Sequence, residues 1–120
     1  MFDFKLTRES EATVLDVSGA IIGDEDRDIL SETFAFVEPD DNLILDLSEL
    51  HALDPGAAIL LHDVLMRRAI LAESVIISAR PAVSMQLVLH DVDRVCPIVS
   101  NIDLATDIID RPWAKRRLPH

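Results

Sequence analysis

Three aspartates stand at alternate positions in one short stretch, Asp24, Asp26 and Asp28. This is the spacing at which an EF-hand loop supplies its first calcium ligands. The same motif requires Gly at its sixth position and Glu at its twelfth, where this sequence has Ile29 and Ala35. We therefore expect no metal site here. We expect a solvated helix start, with a contribution to partner recognition as the functional alternative.

The histidines and serines do not form a recognisable catalytic group. No H-E-x-x-H or His-x-His motif occurs, and no serine lies in a G-x-S-x-G turn. His62 is followed by Asp63, but neighbouring helix residues point about 100° apart, so the two are not expected to face one another. The remaining histidines, His51, His90 and His120, show no ligand spacing. The sequence thus predicts that the protein is not an enzyme.

Cysteine and glycine are too scarce for several kinds of site. One cysteine, Cys96, excludes an internal disulfide and a thiolate metal cluster, and its apolar neighbours predict a buried thiol. The three glycines, Gly19, Gly23 and Gly56, form neither a P-loop nor a G-x-G-x-x-G turn. We expect no cofactor.

The distribution of charge limits the possible partners. The chain has 120 residues and a formal net charge of −11, and every acidic residue lies within 1–110. An acidic body repels phosphate backbones, so nucleic-acid binding is not expected. Four basic residues and the single tryptophan, Trp113, lie in 111–117, and we predict that 111–120 is a flexible basic tail. An intramolecular clamp and contact with an acidic partner are the alternatives for this tail.

Apolar stretches are short. The longest uninterrupted one is Ala57–Leu61, against the roughly 20 residues that a membrane span needs. No apolar segment typical of a signal peptide follows Met1. We expect a cytoplasmic protein without membrane contact.

The hydrophobic pattern predicts one α/β domain over residues 1–110. Alternating or continuous apolar runs indicate strands, and apolar residues at helical spacing separate them. The predicted order is β-β-α-β-α-β-α-β-α, a mixed, mostly parallel sheet covered by about four helices. The predicted strands are Phe2–Leu6, Ala12–Ser18, Leu43–Leu47, Val75–Ser78 and Val95–Val99. Asp54 is predicted to cap a helix with Pro55 in its first turn, and Asn101 to cap the last helix.

The middle of the chain resembles the signature of STAS domains, whose type members are bacterial anti-sigma factor antagonists. Asp46-Leu47-Ser48 resembles the end of that family's buried strand, and Asp54 aligns without a gap with the acid that opens its apolar helix. The resemblance extends over roughly residues 4–110, and its most specific part is Leu43–Ala58. It implies a transcription-regulating signalling protein that binds an anti-sigma factor, a serine-protein kinase, by protein–protein contact.

The resemblance also implies which residues have which roles. Asp46 and Ser48 would be structural, whereas Asp54, Pro55, Gly56 and Ala57 would bind the partner, together with the face that carries Asp24 and Asp26. In regulated members a serine after the acid is phosphorylated, and here Pro55 and Gly56 have no hydroxyl. We therefore expect binding without phosphorylation at the usual site. A module that senses a nucleotide or lipid, or acts as a scaffold, is the alternative, and both a monomer and a weak homodimer remain open.

Overall fold

The computed structural model describes residues 1–9 and 11–110. The predicted basic tail, residues 111–120, lies outside the described residues. The strands are β1 (Phe2–Glu9), β2 (Ala12–Ile21), β3 (Asn42–Asp46), β4 (Leu50–Leu53), β5 (Ser74–Ile77) and β6 (Ile98–Val99). The helices are α1 (Asp24–Phe34), α2 (Pro55–Arg68), α3 (Pro81–Leu89) and α4 (Ile102–Asp110), with a single 3₁₀ turn at Val92–Arg94.

The strands form one mixed sheet in the order β1-β2-β3-β5-β6. The hairpin β1–β2 is antiparallel, and the other pairs are parallel. The predicted α/β class, the mostly parallel sheet and the helix order are therefore confirmed.

The sequence did not indicate β4. This four-residue strand pairs with the far end of β2, beyond the point where β3 stops, and the register shifts between Gly19 and Ala20. A strand this short has too few residues to show an alternating pattern, and it forms because the long β2 offers free backbone groups past Asp16. The last strand is also shorter than predicted, because the Val95 and Cys96 N–H groups donate to the Val92 carbonyl and Pro97 has no N–H to give to a strand.

Helices cover both faces of the sheet because neighbouring strand residues point to opposite sides. On one face, Leu15, Leu43 and Ile76 pack beneath α1, α2 and α3 in the larger core. On the other face, Ile44 and Val75 pack against α4. This two-sided burial explains the nearly continuous apolar runs of the central strands.

None of the helices in the described part of the chain is long and apolar enough to cross a membrane.

Candidate partner-binding site

Asp54 caps the start of α2. Its backbone is extended, with φ −81° and ψ 164°, and its Oδ1 accepts a hydrogen bond from the Ala57 N–H at 2.8 Å. Pro55 follows at the first helical position, where its missing N–H costs no hydrogen bond. The predicted N-cap and first helical turn are confirmed. Ala57 itself is buried, so it can position the loop but cannot present a side chain to a partner.

The second oxygen of Asp54 connects α2 to the start of α1. Oδ2 accepts hydrogen bonds from the Gly23 N–H and from Arg27 Nη1, both at 2.8 Å. Gly23 has φ 92°, which an L side chain rarely adopts, and this turn aims its N–H at the carboxylate. One carboxylate thereby joins the β2–α1 turn, α1 and α2.

These contacts also set the protonation of Asp54. Burial raises the pKa of the carboxyl, but hydrogen bonds from Gly23 and Ala57 and the charge of Arg27 outweigh it, so the pKa lies below its usual value. The group is therefore a carboxylate, the form that accepts all three donors.

Arg27 lies over Gly56, and the two residues depend on one another. A Cβ at Gly56 would stand 2.9 Å from Cζ and Nη1 of Arg27, closer than real Cβ contacts. Arg27 also forms an ion pair with Asp24 on the outer side. Glycine at position 56 thus leaves room for the guanidinium, which occupies the space that a serine side chain there would need.

The role of Arg27 was not predicted from the sequence. Its spacing of three residues from Asp24 was a visible signal for an ion pair on a helix surface. The pair with Asp54 spans 27 residues and depends on how α1 and α2 lie together. No local pattern indicates it.

Asp26 differs from the predicted solvated helix start. It is only 8% exposed, and its Oδ2 accepts from the Met1 amino group at 2.7 Å and from the Ile22 N–H at 3.0 Å. The hydrogen bond from the amino group, followed by that from Ile22, lowers its pKa. Asp26 therefore holds β1 and the β2–α1 turn, whereas Asp24 remains exposed.

Asp46 and Ser48 are joined by hydrogen bonds at the end of β3. Ser48 donates from Oγ to Asp46 Oδ1 at 2.6 Å and from its N–H to the same atom at 3.0 Å. Arg80, which precedes α3, donates to the Ser48 carbonyl at 3.2 Å. The pair closes the end of β3 and connects it to the start of α3.

Exposed apolar side chains surround the start of α2. Ile22 is exposed beside the Gly23 turn, Pro55 is exposed, and Ile59, four residues along the same helix face, is 49% exposed. We call Ile22, Asp24, Asp54, Pro55 and Ile59 the α2-start surface. It carries exposed apolar side chains and carboxylates at two helix starts that the hydrogen bonds of Asp54 join.

The side chains of His62 and Asp63 lie closer together than the sequence predicted. The two were not expected to face one another, yet His62 Nδ1 lies 3.3 Å from Asp63 Oδ1 at the surface of α2. Side chains of this length can bend together even when their Cβ atoms diverge. Among the described residues, no group of three His, Cys, Asp or Glu side chains could hold a metal ion.

Comparisons with known proteins identify the fold. No family model and no curated protein matches the sequence. An anti-sigma factor antagonist from Mycobacterium paratuberculosis superimposes with a TM-score of 0.76 at 18% identity, over 92% of this chain and 96% of that one. A putative anti-sigma factor antagonist from Thermotoga maritima gives 0.76 at 16% identity, over 90% and 95%. SpoIIAA in its unphosphorylated form gives 0.57 at 13% identity, over 97% and 100%.

The chain therefore has the STAS, or SpoIIAA-like, fold of these anti-sigma factor antagonists, and the resemblance noted in Leu43–Ala58 is confirmed at the level of fold.

Proposed function

We propose that this protein is an antagonist that binds an anti-sigma factor of the serine-protein kinase type through the α2-start surface. Binding would compete with the sigma factor for the anti-sigma factor and so release the sigma factor. The fold shared with anti-sigma factor antagonists supports this function. The observation that carries the proposal is the rigid junction at Asp54, which holds an exposed apolar patch at a helix start.

The junction favours tight docking because little order is gained on binding. Asp54 already bonds Gly23, Arg27 and Ala57, and Pro55 fixes one backbone angle of the loop. A preorganised loop loses less conformational entropy when a partner covers it. Ile22, Pro55 and Ile59 supply the apolar contact, and Asp24 provides a carboxylate at the rim.

The negative charge of the chain favours a partner with a positively charged binding surface. The formal net charge is −11, so a partner with a positive rim around an apolar centre is attracted before contact. The competing sigma factor would be displaced from that same face of the anti-sigma factor.

The complex would not be released by phosphorylation at the start of α2. Neither Pro55 nor Gly56 has a hydroxyl, and the space beside Gly56 is filled by Arg27. Ser48 donates its hydroxyl to Asp46, and Thr33 is buried, so neither is presented for transfer of a phosphoryl group. Binding would then be governed by the amounts of the two proteins.

The direct test is titration calorimetry with purified kinase-type anti-sigma factors encoded in the same genome, with and without ATP. Asp54 is a poor probe because its loss also loosens the junction, so the informative variant is Ile59→Glu. Ile70→Glu is a matched control, since Ile70 is 84% exposed and follows the end of α2. We expect Ile59→Glu to weaken binding at least about tenfold, Ile70→Glu to leave it unchanged, and ATP to have no effect.

Three results would contradict the proposal. Absence of binding to every such anti-sigma factor rejects the function, and equal loss in both variants rejects the surface. Release by ATP rejects the unswitched mechanism and makes the exposed Ser31 the first acceptor to map.

A cavity between the far ends of α1 and α2 favours a second candidate function, ligand sensing. It has a volume of about 280 Å³, and its walls include Phe34, Val64 and Leu71, with Arg68 at one side. Its mostly apolar walls suit the chain of a small lipid better than a nucleotide. A thermal shift with a medium-chain fatty acid, and none with ATP or GTP, would support this function over partner binding.

A further inference from the structure

Among the residues that the structure describes, the strand β1 forms an open edge of the sheet. It has eight residues, and in the described part of the chain its one strand partner is β2. A long edge strand carries a row of backbone donors and acceptors that can pair with another strand. The opposite edge, β6, has two residues and offers far less.

The alternation of hydrogen bonds between β1 and β2 shows which residues of β1 direct their backbone groups to the open edge. Extended by one residue before Phe2, the register places Met1 opposite Ala20, and the Ala20 N–H donates to the Met1 carbonyl at 3.0 Å. The next pair along is Phe2 with Gly19, and the Gly19 N–H points the other way, to the Glu49 carbonyl. Since the pattern alternates along an antiparallel pair, Asp3 and Lys5 bond β2, whereas the even-numbered residues of β1 direct their backbone groups to the open edge.

The even-numbered and odd-numbered side chains of β1 lie on opposite faces of the strand. Phe2 and Leu6 pack at the border of the larger core, and Phe4 lies between them on the same face. Phe4 is 41% exposed and stacks on Phe36, which is 67% exposed, with ring centroids 6.0 Å apart. Asp3 and Lys5 are exposed on the opposite face of the strand.

We infer that β1 pairs with β1 of a second copy of this chain, antiparallel and across a two-fold axis at Phe4. Phe4 then faces Phe4 of the other copy, and Phe2 faces Leu6 on both sides of the axis. The backbone N–H and C=O groups of Phe2, Phe4 and Leu6 all point to the open edge, so each of these pairs exchanges two backbone hydrogen bonds. The two Phe4 rings and their Phe36 partners form one aromatic cluster that covers the exposed faces.

Charge complementarity favours both this register and a second copy of the chain as the partner of β1. In this register Asp3 faces Lys5 of the other copy twice, which is favourable across paired strands. If the two-fold axis lay at Asp3 or at Lys5, even-numbered residues would still pair with even-numbered residues, but two aspartates or two lysines would lie directly opposite one another. A strand complementary to its own reversed sequence is suited to a second copy, and a two-fold contact closes at the dimer.

Sedimentation equilibrium of the full chain at up to about 1 mM tests this assignment. The wild type should show a monomer–dimer equilibrium. Asp3→Lys and Lys5→Asp should each weaken dimerisation about tenfold or more, because two attractive pairs become repulsive. The double variant Asp3→Lys/Lys5→Asp restores opposite charges and should return the dissociation constant to within about threefold of the wild type.

Phe4→Pro gives an independent test. Proline removes an outward N–H at position 4 and leaves the hydrogen bonds of Asp3 and Lys5 to β2 in place, so the variant should fold and be monomeric. Circular dichroism verifies that each variant is folded. A wild type that stays monomeric over the whole range overturns the assignment. So does a dimer that both single charge variants leave unchanged, or a double variant no better than the single ones.

Discussion

The Asp54 carboxylate accepts a hydrogen bond from the Arg27 guanidinium at 2.8 Å, across 27 residues of sequence, and this pair joins the starts of α1 and α2. The same carboxylate caps α2 and bonds the Gly23 turn. Cap, turn and ion pair therefore depend on one side chain, and the α2-start surface depends on them.

Removal of the Asp54 side chain should cost more than removal of an ordinary helix cap. For Asp54→Ala we expect a loss of about 0.5–2 kcal/mol for the cap and about 1 kcal/mol more for the bonds to Gly23 and Arg27. Asn101→Ala is the matched control, because Asn101 Oδ1 caps α4 through the Leu104 N–H and makes no such junction. Urea denaturation measures both, and equal losses would show that the junction adds nothing to the cap.

The stability of the protein should fall in acid partly through Asp54. Its pKa in the folded state lies below the ordinary 3.8, so the folded state favours the carboxylate. The contribution is therefore present above about pH 4 and is lost as the pH falls through the folded pKa. Denaturation midpoints of Asp54→Asn should depend less on pH between 5 and 2.5 than those of the wild type. Parallel pH profiles for the two proteins would contradict this.

Gly56 and Arg27 should be coupled energetically. Alanine in a helix is favoured over glycine by roughly 0.5–1 kcal/mol, but a Cβ at position 56 meets Arg27. Gly56→Ala should therefore stabilise Arg27→Ala by about that amount and the wild type by clearly less. A double-mutant cycle by denaturation measures the difference. The same gain in both backgrounds would mean that Arg27 does not occupy this space.

Cys96 should be unreactive in the folded protein. It is buried in the larger core, and burial raises the pKa of its thiol to about 12. The thiolate that attacks a disulfide reagent is then nearly absent at pH 8. Labelling with a chromogenic disulfide should be slow in buffer and complete in denaturant, and Cys96→Ser should show no labelling. Rapid labelling of the folded protein would place the thiol at the surface.

The sequence by itself determined the features that depend on residues close along the chain. Asp54 with Pro55, and Asn101 at the start of α4, follow from hydrogen bonds across one helical turn. The buried strands follow from their apolar runs, which burial on both faces of a parallel sheet requires. The Asp46–Ser48 hydrogen bond is likewise local.

Only the tertiary structure decided which distant groups meet. Arg27 reaches Asp54 because α1 and α2 lie side by side, and Asp26 accepts a hydrogen bond from the Met1 amino group because the start of β1 lies beside the start of α1. The strand β4 exists because β2 extends beyond β3. Local spacing predicts contacts within a turn or a hairpin. The long-range contacts of Arg27, Asp26 and β4 arise instead when separate elements pack, and their partners leave no periodic pattern in the sequence.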